Sequence, residues 1–431
     1  MSVLLLPTPD GERRPTRGRF RVMGWLTAAA VLAYLCRNSI GVAESSIRDD
    51  LGLTLTQSGW FLGAFFWTYA LGQVPAGWLG QRWGTRQALY VYAAAWSLGA
   101  AMLGMADTLL LLLTAQGIAG AAQAGLFPCC VNTISHWIPV SRRAICCAFL
   151  SVGMQLGAAA AAVLTGVLIE AVHWRWTFLL YALPGLLWSM QFFDRFRDRP
   201  QDDPTVNDAE LALIHGEDAP RRTGSEIHEP PPWLGMLTSP SLYFLCAQQM
   251  CRAAGYAFFA TWFPTFLQET RGVDVEQSGY LQAAVFCASL LGGLSGGTVV
   301  DWLFRRTGSL RWSRGGMGFA STAACGALIL SAFFTDETLS AVMLLAAGAF
   351  AAAFAGPCAY VTTIDLGGRH VPQVFAIMNM AGNLAAAATP VAVGWLFSRM
   401  ENWNLILGLF AAVYLAAAAC WSLVDPGRKI G

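Results

Sequence analysis

Two residues, Arg37 and Arg252, have the strongest chemical potential in this 431-residue chain, because each is embedded in a long apolar stretch. A charged side chain deep in a bilayer costs at least about 2.5–3.5 kcal/mol on insertion scales, so it faces a watered cavity or a partner. All 26 Asp and Glu residues lie in loops or near the ends of apolar stretches, with Glu44, Glu170, Asp301 and Asp365 coming nearest to the interior. Neither arginine is therefore expected to have a resident counter-charge. Two such guanidinium groups select an anion, and their planar fork pairs well with a carboxylate through two parallel hydrogen bonds. The alternative is that either side chain snorkels or bonds helix carbonyls.

Polar neighbours would read the rest of a small organic anion. Tyr69 and Gln73 stand at i, i+4, Gln116 and Gln123 at i, i+7, and Tyr360 and Asn379 are the candidates later in the chain. Hydroxyl and amide partners suit a polyhydroxylated molecule, although each is equally suited to bonding a neighbouring helix. Cys36, Glu44 and Asp301 are candidates for ion coupling. No Ser/His/Asp set, metal-ligand cluster, phosphate loop or pair of intramembrane carboxylates is present, so neither an enzyme, a metal site nor a cofactor is expected. The eleven cysteines are odd in number, mostly within apolar stretches, and include no CxxC, which fits small buried residues better than disulfides or zinc.

The elements that position these groups must be membrane helices. Apolar residues make up 55% and charged residues only 12% of the chain, against about 25% charged in soluble domains. The apolar residues form twelve blocks of the length that crosses a ~30 Å hydrocarbon core: 22–43, 58–80, 87–106, 108–134, 143–169, 174–193, 239–267, 277–300, 315–335, 339–364, 371–398 and 402–424. Met1 to Phe20 is too Arg-rich, and its apolar part too short, for a cleaved secretory signal. With the N-terminus cytoplasmic, twenty-one of the 27 basic residues lie on the cytoplasmic side and Arg48, Arg175, Arg271 and Arg399 opposite. Both termini are thus expected to be cytoplasmic.

One long polar stretch separates six spans from six. The expected organisation is a cytoplasmic segment 1–21, a six-helix half 22–193, a linker 194–238, a second half 239–424 and a tail 425–431. In the linker Asn207 can cap a short surface helix over Asp208 to His215, while Pro230 to Pro232 prevent its extension. The halves carry a repeat. Thr56-Gln57-Ser58-Gly59 recurs as Glu276-Gln277-Ser278-Gly279, and each Gly is followed 22 positions later by Gln81 or Asp301. Leu156 precedes Gly166 by ten residues after an Ala-rich run, as Leu384 precedes Gly394. Parallel repeats imply a site near the midplane between the halves and a rocking, alternating-access transporter. Gly153 and Gly157 at i, i+4 are read as packing positions.

The chain resembles the major facilitator superfamily and, within it, the anion:cation symporter family of bacterial sugar-acid transporters and animal vesicular glutamate and phosphate transporters. The likeness rests on Tyr34-Leu35-Cys36-Arg37-Asn38, on Ala64 to Leu79 with its Trp67-Thr68-Tyr69-Ala70-Leu71-Gly72-Gln73-Val74-Pro75 core, and on Trp262-Phe263-Pro264 with Asn379. It implies that Arg37 binds the substrate carboxylate, that Arg252 matches the second arginine of vesicular members, and that Tyr69 and Asn379 touch substrate. Four departures follow. Cys36 and Gln123 replace the acids of proton-coupled members, Gln116 a common arginine, and Gln81 the Asp of a cytoplasmic loop motif. The expectation is an all-α integral membrane monomer of the bacterial inner membrane, with lipid and a small organic anion, and no nucleic acid, as partners. It transports a hexuronate, aldonate or similar anion with atypical or absent proton coupling. A membrane sensor that kept the fold but lost transport is the second reading.

Overall fold

Apolar blocks of about twenty residues give long helices because backbone groups in lipid can be satisfied only within the segment. The computed structural model describes residues 15–139, 143–215, 235–236, 238–367, 371–400 and 402–427, and among these it contains helices and no strand. The first half comprises α1 (Gly18–Leu51), α2 (Leu55–Trp83), α3 (Thr85–Gly104), α4 (Leu109–Ala124), α5 (Leu126–Trp137) and α6 (Arg143–Arg195). After α7 (Asp208–His215) follow α8 (Pro240–Thr261), α9 (Phe263–Arg271), α10 (Val275–Thr307), α11 (Met317–Phe333), α12 (Thr338–Gly367), α13 (Val371–Phe397) and α14 (Leu405–Leu423).

These helices make twelve passes, six in each half. α4 with α5, and α8 with α9, each form one pass, whereas α6 makes two. Its 53 residues would extend about 80 Å if straight, yet the indole of Trp137 just before it donates to the Arg197 carbonyl just after it, at 3.1 Å. The chain reverses at His173, where φ is 73° and ψ 151°, a conformation that costs a residue with a Cβ about 1–3 kcal/mol. Gly84 makes the α2–α3 turn with nearly the same angles and without that cost.

The first helix is longer than its apolar block. The expected end near residue 43 is corrected to Leu51, because no breaker intervenes before Gly52, which closes the helix at φ 62°. Glu44, Arg48, Asp49 and Asp50 are therefore helical residues, not a loop.

The two ends of the described chain and the described part of the linker share one end of the bundle. Arg21 pairs with Asp203 at 2.6 Å, and Ser241, at the start of α8, bonds the backbone of Asp425 beyond α14. The linker helix forms over Asp208–His215, and the Asn207 side chain accepts from the Glu210 amide at 3.0 Å. It does more than lie at the surface. The buried Glu210 carboxylate accepts from the Thr16 hydroxyl and from the Gly18 and Arg19 amides, so it caps the start of α1. Residues 1–14, Pro230 to Pro232 with the rest of 216–234, and the tail from 428 lie outside the described residues.

At the opposite, far end the two halves touch. The repeat glycines lie at this contact: a Cβ added at Gly59 of α2 would come within 2.7 Å of the Pro390 carbonyl oxygen of α13, and one at Gly394 of α13 within 2.5 Å of that of Leu55 in α2. Gly279 of α10 meets Ala162 of α6, and Gly166 of α6 meets Glu276 of α10. Four glycines related by the repeat thus let backbones of opposite halves approach closely.

Candidate functional site

Toward the terminus end the halves diverge around a cavity of about 530 Å³. Its walls come from α1, α2, the first arm of α6, α8, α10, α12, α13 and Tyr414 of α14. Its lining runs from Phe259, which is buried, to Leu294 and Tyr360, which are exposed.

Arg37 projects into this cavity from α1. Its guanidinium carbon lies 5.2 Å from the ring centre of Tyr34, 4.8 Å from those of Phe65 and Phe66, and 5.0 Å from that of Tyr69. The aromatic faces offer a cation partial compensation without closing its hydrogen-bonding fork. Its Nε is buried and without a hydrogen-bond partner. Tyr69 stacks on Phe65 at 5.8 Å, which holds the ring beside the arginine.

Arg252 reaches the cavity from the second half. Its Nε and Nη2 both donate to Oε1 of Gln249, at 3.2 and 3.0 Å, one helical turn earlier. Gln249 is itself buried and packs against Gly382 of α13, where a Cβ would come within 3.0 Å of Gln249 Cγ. Among the described residues that line the cavity there is no Asp, Glu, Lys or His. Its fixed charge is that of the two arginines.

Of the other candidates, Tyr69, Gln73, Tyr360 and Asn379 line the cavity. The Asn379 side-chain amide donates to Gln73 Oε1 at 3.4 Å, linking α13 to the neighbouring α2. Gln116 and Gln123 are not among its lining residues. Both are buried, and Gln123 Nε2 donates to the Ala33 carbonyl at 3.1 Å. The reason is packing: α4 lies behind α1 and α2, with Gly120 pressed against the backbone of Phe65.

The three coupling candidates are also away from the cavity. The Cys36 thiol faces the Tyr181 carbonyl at 3.8 Å. Asp301 is exposed near the end of α10, and the Gln81 side chain lies outside the described residues. Glu44 is fully buried at the far end, where it accepts from Arg48 Nε at 3.2 Å and from the Thr265 hydroxyl at 2.6 Å. Arg48 continues to Glu269 of the other half at 2.7 Å.

Sequence reasoning missed Tyr34, Gln155, Gln249, Tyr256, Asn383 and Tyr414, all of which line the cavity. Four carried a usable signal. Tyr34 is three residues before Arg37, Gln249 three before Arg252, Tyr256 four after Arg252, and Asn383 four after Asn379, so each shares a helix face with a candidate already named.

A model of the Major Facilitator Superfamily matches residues 26–387. A probable sulfoacetate transporter of Cupriavidus necator is 26% identical over 420 residues, covering 96% of this chain and 97% of that one. A D-galactonate transporter of Escherichia coli O6:H1 is 26% identical over 437 residues (98% and 99%). A probable galactarate/D-glucarate transporter of Bacillus subtilis is 26% identical over 440 residues (98% and 95%). Among solved structures, a bacterial homologue of the human lysosomal transporter Spinster, in its inward-facing and occupied conformation, superposes with a TM-score of 0.74 over 95% of both chains at 16% identity. The resemblance read from the Arg37 and Ala64 to Leu79 stretches and the fold built on paired six-helix halves agree with the family match across residues 26–387, and the chain belongs to the major facilitator superfamily.

Proposed function

We propose that this protein carries a small organic anion across a bacterial inner membrane by alternating access, with Arg37 and Arg252 supplying the positive charge that holds it. One observation carries this reading: Arg37 stands among four aromatic rings in a cavity whose described lining contains no carboxylate. A guanidinium in that setting is complementary to a carboxylate or another planar or tetrahedral oxyanion. Relatives described as transporters of sulfoacetate, galactonate and galactarate or glucarate point to the same ligand class, with sugar acids the leading members. Tyr69, Gln73, Tyr360 and Asn379 are assigned to the substrate's polar groups.

Residues 22–193 and 239–424 are assigned as the two rocking halves, joined by 194–238, with segments 1–21 and 425–431 at their ends. The concentration of basic residues assigns the terminus end to the cytoplasm, which makes the described arrangement inward-open. No carboxylate is among the described residues that line the cavity, so the substrate is assigned to move by uniport, by exchange, or with a cation other than a proton. The test is uptake of labelled sugar acids and sulfoacetate by proteoliposomes of the purified protein. Saturable uptake that survives collapse of the pH gradient alone is expected. Uptake that stops with that gradient would overturn the coupling assignment, and binding without flux would overturn transport.

A further inference from the structure

The geometry points to Gln249 as a specificity residue that orients Arg252 without compensating its charge, so that the site takes a dianion bearing two separate anionic groups and discriminates against the matching monoanion. This inference rests on the anion-transport reading and narrows it.

Some arginines of the chain are held by backbone carbonyls, as Arg86 and Arg271 are, and others by acids. Arg48 bonds Glu44 and Glu269, Arg175 bonds Asp50 at 2.9 Å, and Arg314 bonds Asp365 at 3.2 Å. Each is closed by a carboxylate. Arg252 has the same local opportunity, since a residue one turn away accepts from both Nε and Nη2. That residue is an amide. Its oxygen orients the guanidinium and satisfies two donors, yet it cancels no charge.

The result is a cavity that carries two positive charges, one from each half, and no negative one among its described lining. Arg37 is held among aromatic rings and Arg252 on Gln249, so the two charges lie on opposite halves in different surroundings. A monoanion neutralises one and leaves the other uncompensated in a membrane-embedded space, which is costly. A dianion neutralises both. Arg37, with its buried and unpartnered Nε, is assigned one anionic group and Arg252 the second. Gly382 supports the position of Gln249, because an added Cβ there would come within 3.0 Å of Gln249 Cγ. Aldarates and sulfocarboxylates fit the inference, whereas aldonates and hexuronates, with one carboxylate each, do not.

The test measures equilibrium binding to purified protein for D-glucarate against D-gluconate and for sulfoacetate against acetate, in wild type and in Gln249→Glu, Arg252→Gln and Arg37→Gln. In at least one pair the wild type should prefer the dianion by about tenfold or more. Gln249→Glu places a carboxylate where the amide oxygen now sits, and Arg252→Gln removes the cation. Both should bring the preference toward unity through loss of dianion affinity. Arg37→Gln should lose both ligands. Equal binding of dianion and monoanion by wild type overturns the inference and leaves anion transport standing. Retention of the preference by a Gln249→Glu protein that elutes as a single folded species overturns the role of Gln249. Should that variant not fold, the wild-type ratio and Arg252→Gln decide alone. Binding of none of the four anions overturns the anion reading itself, and this inference with it.

Discussion

Of the four arginines on helix α1, Arg37 and Arg48 lie about 16 Å apart along its axis, and their surroundings are opposite. Arg48 lies where the halves meet, with Glu44 one turn before it, Asp49 beside it and Glu269 across the contact. Arg37 lies where the halves part, with four aromatic rings and no carboxylate. The difference teaches that the counter-charge, not the cation, decides what a membrane arginine is for. A guanidinium closed by acids ties the far end together, and one left open is available to an anion.

The largest expected effect breaks the open member. Arg37→Ala should reduce uptake to background while the protein still inserts, with substrate affinity lowered by about 2–5 kcal/mol, roughly thirtyfold to several thousandfold. Normal uptake by this variant would refute the assignment of the site.

Breaking the closed member should act on stability instead. Arg48→Ala strands the buried Glu44 carboxylate, a loss of about 3–5 kcal/mol, measured as a lower unfolding midpoint in detergent. Adding Glu44→Gln should recover much of that loss, because the stranded charge is then gone. Two additive losses would mean that the pair is not coupled.

A smaller change loosens the far end without stranding a buried charge. Glu269 is 43% exposed on its side chain, so Glu269→Ala removes an ion pair worth about 0.2–1 kcal/mol. A cysteine introduced at the buried Ser58 should then react faster with a membrane-impermeant thiol reagent, over the background of the native cysteines. Unchanged reactivity would show that Arg48–Glu269 does not hold the ends together.

The smallest effect lies at the terminus end, where Arg21 pairs with Asp203. Burial pushes the Asp203 carboxyl upward, but hydrogen bonds from Thr205 and the charge of Arg21 outweigh it and hold the group below its usual range. A carboxyl lower in the folded state stabilises fully above its unfolded value of about 3.9 and loses that contribution as pH falls through the folded value. The stability difference between wild type and Asp203→Asn should therefore be constant at neutral pH and shrink only in acid. A difference that grows in acid would have the wrong sign.

Much of the site was legible because charge in an apolar block is conspicuous. Arg37 and Arg252 needed no structure to be singled out, and both line the cavity. Gln116 and Gln123 looked equivalent to Gln73 in sequence, but which face of α4 meets its neighbours is set by packing, and that face is turned toward α1 and α2. Glu44 looked like a residue at a span end, because hydropathy marks where apolar residues stop and not where a helix stops. The repeat glycines were visible as a pattern, while their contact across the halves was not.

The amino-acid order alone determined the twelve apolar blocks, the division into two related halves and the presence of two unbalanced arginines, since each follows from local composition and the energy of placing groups in lipid. The tertiary structure decided which polar side chains share a cavity, which end of the bundle is closed and which arginine is neutralised, because those depend on contacts between residues far apart in the chain. Arg48 and Glu269 are separated by 221 positions, and only the meeting of two helices from different halves makes them one ion pair.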